Sequence, residues 1–402
     1  MARKEKNRSS HKNREYAVIT YFFLLMFLGL IAYFVYFQLV KSDKFINSPY
    51  NSLQDLFAKN VVRGEITTAD GEVIARTVTD ADGNETREYP DGRMFAHAVG
   101  YAVNGKAGME KQENFTLLRS HDFFLTQIVN DISGTKNIGD NVISTLDHKA
   151  QNAAYEALDD YDGAVIAIEP ETGKIVAMVS KPDYDPNTIS ADWDEVNGDG
   201  STALYNRATQ GQYAPGSVFK IFTALEYYNE FPDTYEDYEF DCDSEITRDG
   251  FTIHCSGNKS HGTEDLRKSF AKSCNSSFAN IGLTIDNNKL NALCNDMLFN
   301  KDIPIEFESK ASKFSLSNSD TTALTMQTCI GQGNTLVSPL HMCMVAGAIC
   351  NGGTLMTPYI VDHVENAGGM VVTQNEPQKN KALMSEKQAA FLQDLMSAVV
   401  SE

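Results

Sequence analysis

The segment YAPGSVFKIFTALEYY (213–228) carries the residues of this chain best placed for covalent chemistry. Pro215-Gly216 breaks the backbone, and after it Val218, Ile221, Phe222 and Leu225 recur at helical spacing, so a helix with these four on its buried face is expected to begin at Ser217. A serine there lies among backbone N–H groups without intrahelical partners, at the positive end of the helix dipole. That placement suits a nucleophile whose attack on a carbonyl creates an oxyanion. Lys220 is three residues on and shares its face, so its amine can approach the Ser217 hydroxyl. In a cleft bordered by apolar side chains an amine loses solvation, its pKa falls, and it can serve as a base. Ser-x-x-Lys alone is a common coincidence and also describes a solvated helix start. A second segment, SFAKSCNSSFANIG (269–282), places Ser273-Cys274-Asn275 between helical stretches. A hydroxyl with an amide two positions on can relay a proton and orient a substrate carbonyl, whereas the plainer role for these residue types is a helix cap.

Other chemistries find little support. There is no Gly-x-Ser-x-Gly elbow, no HExxH, no Gly-rich phosphate loop and no calcium loop, and the eight histidines are scattered. A net charge of −20 leaves nothing to offset phosphate repulsion, which excludes nucleic acid as a partner. Of the seven cysteines, only Cys242 and Cys255, either side of the turn-rich DSEITRDGFT within one short loop, are placed for a disulfide. A metal site would have to add His254 and His261 to that pair. The spacing matches no standard zinc pattern, so no metal and no cofactor is assigned. Cys274, Cys294, Cys329, Cys343 and Cys350 sit among apolar neighbours and are expected to behave as small buried hydrophobes.

The elements that must position these groups follow from the rest of the chain. Residues 1–15 hold Arg3, Lys4, Lys6, Arg8, Lys12 and Arg14 against Glu5 and Glu15, and Tyr16 to Val40 carries no charge. A helix of that length covers about 37 Å, enough to cross a hydrocarbon layer of about 30 Å. The stretch is too long for a cleaved leader and no small-x-small site follows it. The expectation is a single-pass anchor with the basic tail cytoplasmic and everything after it outside. RGEITTADGEVIA (63–75) reads as two strands around Asp70-Gly71, and DADGN marks a further turn. NVISTLDHKAQNAAYEAL (141–158) gives a strand and then a helix near Asp147, and GAVIAIEPETGKIVAMVS (163–180) a hairpin. Helical periodicity dominates from 217 to about 300 and again from 321 to 350. Ser385 and Gln388 form a capping box ahead of Phe391, Leu392, Leu395, Met396 and Val399. Strands followed by many helices imply an α+β fold with helices packed on an antiparallel sheet. The expected organisation is a tail (1–15), an anchor (16–40), a small β-rich pedestal or dimerisation-like module (41–140) and a catalytic domain (141–402).

Taken together, the ordered segments resemble the monofunctional (class B) penicillin-binding proteins. RGEITTADGEVIA and GKAGMEKQENFTLL are similar to two boxes of that family, with Met109 where leucine is usual. TLDHKAQ, AIEPETGKIVAMVSKPDYDPN, YNRATQGQYAPGSVFK, HGTEDLRKSFAKSCNSSFANIG and IGQGNTLVSPLHM follow in the family's order. The resemblance implies a peptidoglycan D,D-transpeptidase domain in which Ser217 is acylated and Lys220 takes its proton. Ser273 and Asn275 would form the second motif, with Gly331, Gln332 and Gly333 in a substrate-binding segment. It further implies stem peptides ending in D-Ala-D-Ala as substrates, β-lactams as acylating ligands of the same serine, and other membrane proteins of wall synthesis as partners. Two further functions come with it: a non-catalytic wall-assembly partner, and a β-lactamase or β-lactam sensor. One departure stands out. The family's third motif, Lys-Thr-Gly or Lys-Ser-Gly on a late strand, is absent from residues 218–402. The expectation is a C-terminally incomplete, inactive copy whose 163–180 hairpin keeps few neighbouring strands.

Overall fold

The computed structural model describes residues 2–37 and 60–401 and divides into two units, Met1–Lys59 and Asn60–Glu402. Among the described residues of the first unit, a helix runs Ala2–Tyr36. Its stretch Tyr16–Tyr36 is long and apolar enough to cross a membrane, and its apolar side chains all face outward. Residues 38–40 of the expected anchor, and 41–59 of the expected pedestal, lie outside the described residues.

The second unit is α+β. Its largest sheet has six strands in the order Val371–Gln374, Val361–Glu365, Asn141–Ser144, Ile66–Thr67, Val73–Thr79 and Glu85–Glu88. The two strands around Asp70-Gly71 form as expected, antiparallel with Ile66 opposite Ala75. The strand Asn141–Ser144 then pairs with Ile66–Thr67 on one side and Val361–Glu365 on the other. The sheet therefore runs across the expected boundary at 140/141 and draws in strands from beyond residue 360. Those late strands are polar and short, and their periodicity is weak. What recruits them is the backbone edge that Asn141–Ser144 would otherwise leave unpaired.

The segments RGEITTADGEVIA and GKAGMEKQENFTLL meet through an ion pair. Arg63, at the head of the first, donates to the fully buried Glu110 of the second (Nε to Oε2, 2.6 Å), and Arg87 donates to its other oxygen (2.7 Å). Burial alone would raise the Glu110 carboxyl, yet Arg63 and Arg87 hold it below the usual carboxylate range. Removing a buried carboxylate strands two buried guanidinium groups, so Glu110→Ala should cost about 3–5 kcal/mol of folding stability. Urea denaturation of residues 60–402 measures this, and a loss below about 1 kcal/mol would contradict the reading.

The hairpin forms as expected, Gly163–Ile168 against Ile175–Lys181, as a sheet of just those two strands. The helices His148–Leu158 and Pro339–Cys350 pack against it. Ser385 and Gln388 do cap Glu386–Ser401: the Gln388 N–H donates to Ser385 Oγ (3.3 Å) and the Ser385 N–H to Gln388 Oε1 (2.7 Å). Leu392 and Leu395 are buried there, while Val399 faces outward.

The helical periodicity expected from 217 to about 300 is interrupted. Residues 240–264 fold into two small antiparallel pairs, Phe240–Cys242 with Gly262–Glu264 and Glu245–Arg248 with Phe251–His254. Asp249 and Gly250 both have positive φ and close the second hairpin, the conformation an Asp-Gly turn favours. Ile246 and Ile253, which face each other across it, are the buried residues of an otherwise polar alternation.

Candidate active site

Ser217 does start a helix, by way of a 3-10 turn, Gly216–Phe219, that continues as the α-helix Lys220–Glu230. The tighter turn changes which side chain points inward. Val218, expected on the buried face, is 49% exposed, and Phe219 takes its place in the core. Phe219 packs with Phe222, Phe299 and Phe314, ring centroids 5.1, 6.2 and 5.2 Å away, giving the nucleophile turn a rigid aromatic base.

The turn is also held from the other side. The Gly216 N–H donates to Gly331 O (2.8 Å), and a Cβ on Gly331, where φ is +80°, would lie 1.8 Å from Gly216 O. Only glycine permits that approach. Gly331 is thus placed against the nucleophile turn, Gly333 also has positive φ, and the Gln332 side chain is exposed.

Ser217 is exposed, and Lys220 beneath it is 1% exposed. Lys220 Nζ donates to Ser273 Oγ (2.9 Å), Ser273 O (2.7 Å) and Asn275 Oδ1 (2.8 Å). Ser273 Oγ in turn donates to Ser217 Oγ at 2.7 Å. The four residues singled out from sequence therefore come together, with one difference: the recorded contact between Ser217 and Lys220 runs through the Ser273 hydroxyl. Burial lowers the Lys220 amine to about 8, against smaller raising effects from Cys274, Cys255 and Glu264. The ring of Phe278 lies 5.4 Å from Nζ.

Ser273 owes its position to a corner between two helices. The helix Leu266–Ala271 closes with the Cys274 N–H bonded to Ser269 O and the Ser273 N–H to Phe270 O, the 6→1 and 5→2 pattern of a Schellman ending. Glycine usually fills the left-handed position of that ending; here Ser273 does, at φ +53°. A non-glycine residue in that region costs of order 1–3 kcal/mol and is held by its surroundings. The next helix, Asn275–Thr284, begins at once, and its cap is Cys274, whose Sγ accepts from the Ser277 N–H (3.4 Å). Sequence reasoning considered Ser273 and Asn275 for the cap; the thiol between them fills that role and leaves both free to face Lys220. Asn275 Nδ2 donates to His254 O (3.0 Å), so the end of the small hairpin fixes the amide.

Cys242 and Cys255 are close, Sγ to Sγ 3.7 Å, but both are free thiols rather than the expected disulfide. Cys274 and His261 share the space with them. Cys255 Sγ is 3.6 Å from Cys274 Sγ, and Cys242 Sγ is 3.4 Å from His261 Nδ1. His254 points elsewhere, to Glu245 (3.1 Å). Of the cysteines expected to be buried hydrophobes, Cys274 is fully buried beside Cys242, Cys255 and Phe240, Cys343 is half-buried, and Cys350 is exposed.

Residues 163–402 match the family described as penicillin binding protein transpeptidase domain, and residues 63–142 the penicillin binding protein A dimerisation domain. The chain is similar to peptidoglycan D,D-transpeptidase PbpA of Mycolicibacterium smegmatis, with 30% identity over 395 residues, covering 93% of this chain and 80% of that one. Among solved structures it resembles the D,D-transpeptidase domain of a peptidoglycan glycosyltransferase from Eggerthella lenta (30% identity, TM-score 0.75, 85% of this chain and 82% of that one). It also resembles penicillin-binding protein A from M. tuberculosis in an imipenem acyl-enzyme complex (26% identity, TM-score 0.76, 85% and 82%).

Proposed function

We propose, since the chain belongs to the penicillin-binding protein transpeptidase family, that it cross-links peptidoglycan through an acyl-enzyme on Ser217. The observation that carries this is the hydrogen-bonded series Ser217–Ser273–Lys220 ending on a buried amine. With Lys220 neutral, the Ser217 proton passes to Ser273 Oγ while the Ser273 proton passes to Lys220 Nζ. Ser217 Oγ then bonds to the carbonyl carbon of the penultimate D-Ala of a stem peptide. The C–N bond to the terminal D-Ala breaks, and its nitrogen takes the proton that Lys220 received, returned by the same path. An amine on a neighbouring strand displaces Ser217 in the reverse sense. A β-lactam enters by the same attack, its ring amide being the bond that opens. The positive end of the helix that begins at Ser217 favours the oxyanion.

In this reading the apolar stretch Tyr16–Tyr36 is a single membrane anchor, its basic N-terminal flank cytoplasmic and the remaining residues outside. The modules are the tail (1–15), the anchor (16–40), the pedestal (41–140) and the transpeptidase domain from 141.

Residues 218–402 contain no Lys-Thr-Gly or Lys-Ser-Gly. A strand with that motif would add a second oxyanion donor and a carboxylate contact, and one such donor is worth on the order of 10²–10³ in rate. A polypeptide of residues 1–402 alone should therefore acylate slowly. Extending it with a Lys-Thr-Gly strand should accelerate labelling by fluorescent penicillin by at least that factor. Equal labelling with and without the extension would refute the role of the strand, and no labelling of either would refute the function.

A further inference from the structure

We propose that the helix Phe124–Ser133 lies in the surface of the lipid bilayer, its apolar face seated at the boundary of headgroups and acyl chains. The helix is inverted relative to an ordinary surface helix, which turns its apolar stripe toward the core. At about 100° per residue, Phe124, Leu125, Ile128, Val129 and Ile132 fall within an arc of about 140°. All five are exposed, from 37% at Ile128 to 81% at Ile132, and Phe123 just before them is 69% exposed. Elsewhere in the described part of 60–402, exposed large apolar side chains stand in the sequence singly or as adjacent pairs.

Polar side chains fix this orientation. Gln127 and Asn130, on the opposite side of the helix, are half-buried. Gln127 Nε2 donates to Asp122 O (2.8 Å), and Asn130 Nδ2 to Asn137 Oδ1 (2.9 Å). The flanks are fastened as well. The His121 N–H donates to the buried Asp140 (2.9 Å), and Gly134, at φ +71°, closes the helix with its N–H on Asn130 O. Rolling the apolar stripe inward would break these bonds, so the stripe has to be covered from outside. A contiguous apolar surface of this kind marks a protein or membrane contact.

The path of the chain favours lipid as the cover. The strand Asn137–Ile138, just after the helix, pairs in parallel with Val61–Val62, the first strand of its unit. The helix is therefore attached to the element at which the chain enters the unit, 24 positions after Tyr36, where the apolar stretch ends. The proposal rests on the reading of that stretch as an anchor. An anchored chain meets its own bilayer as an intramolecular partner, at an effective concentration that a separate protein does not share. From Phe123 to Ser133 there is no Lys or Arg, so contact comes from apolar burial rather than from attraction to anionic headgroups. A second contact with the bilayer restrains the tilt of the unit that carries Ser217.

Photolabelling of the unaltered full chain tests this. The chain is reconstituted into phosphatidylcholine vesicles containing a lipid with a diazirine in its acyl chain, irradiated, and digested with trypsin. The anchor is read in the peptide Glu15–Lys41 and the helix in Ser120–Lys136, while Ala150–Lys174, which carries the exposed Tyr161, serves as the water-facing control. Label on Ser120–Lys136 should exceed that on the control by about tenfold or more, because only the former reaches acyl carbons. It should not fall at high salt. Combining Leu125→Asp with Ile132→Asp should remove that label and leave the anchor's unchanged. Both side chains are exposed, and should the variant nevertheless fail to fold, the unaltered chain still decides. A labelled anchor with Ser120–Lys136 at the control level would leave the face to a second copy or another protein and overturn the proposal. Label that persists in the double variant would overturn it too. An unlabelled anchor would instead remove the reading of Tyr16–Tyr36 on which the contact rests.

Discussion

Replacing Ser217 with alanine should leave a folded protein that forms no covalent adduct with a β-lactam. In a chain extended by a Lys-Thr-Gly strand, acylation should fall to background, a loss on the order of 10⁵-fold or more, as when the nucleophile of a serine enzyme is removed. The size of the effect follows from the arrangement. Ser217 is the exposed hydroxyl at the end of the Ser273–Lys220 series, over the first turn of a helix. Ser273, the other hydroxyl of the series, already hydrogen-bonds both neighbours. Stability should change by no more than about 0.5 kcal/mol, because the side chain is exposed and the turn is held by Gly216–Gly331 and by Phe219. Intact-protein mass spectrometry after incubation with penicillin reads the adduct directly. An adduct at the unaltered rate in Ser217→Ala would remove the assignment.

Lys220→Met should give the second largest loss. The amine is the proton acceptor in the series, and general-base contributions are about 10²–10⁴ in rate. The sign of the pH dependence follows from the position of the amine. Burial lowers it from the ordinary 10.5 to about 8, so at pH 7 roughly one amine in ten is neutral and able to accept a proton. The acylation rate of the extended chain should rise about tenfold per pH unit below that point and level off above it. In Lys220→Met the inflection near pH 8 should vanish, a signature that simple loss of packing would not produce. A stopped-flow pH series with a chromogenic cephalosporin tests this, and an unchanged inflection in the variant would place the titrating group elsewhere. The same shift affects the fold. Between about 8 and 10.5 the unfolded chain holds a proton that the folded chain does not, so stability should rise with pH across that window. The variant itself should be less stable, since Ser273 O, Ser273 Oγ and Asn275 Oδ1 all lose their donor.

Much of the local structure was legible because it is governed by interactions a few residues apart. The 163–181 hairpin, the strands about Asp70-Gly71, the capping box at Ser385 and the apolar stretch from Tyr16 each rest on a period, a turn dipeptide or a cap, and neighbours in sequence supply all three. The same is true of Ser217 and Lys220, which share a helix face whatever the rest of the chain does. Where the local signal was mixed, reading failed. The 240–264 strands carry an Asp-Gly turn inside a stretch scanned for helical spacing, and Val218 lost its buried place to Phe219 because the first turn is 3-10.

What the chain alone determined, then, is which groups can act and on which helical faces they stand. The tertiary structure decided what each of them meets. It set Ser273 between nucleophile and amine, joined Arg63 to Glu110, pressed Gly331 against Gly216, and gathered Cys242, Cys255, His261 and Cys274 from four segments. Those contacts form between residues whose separation along the chain says nothing about their distance in space, and they are selected by the burial and hydrogen bonding of the whole domain, which no short window of sequence contains.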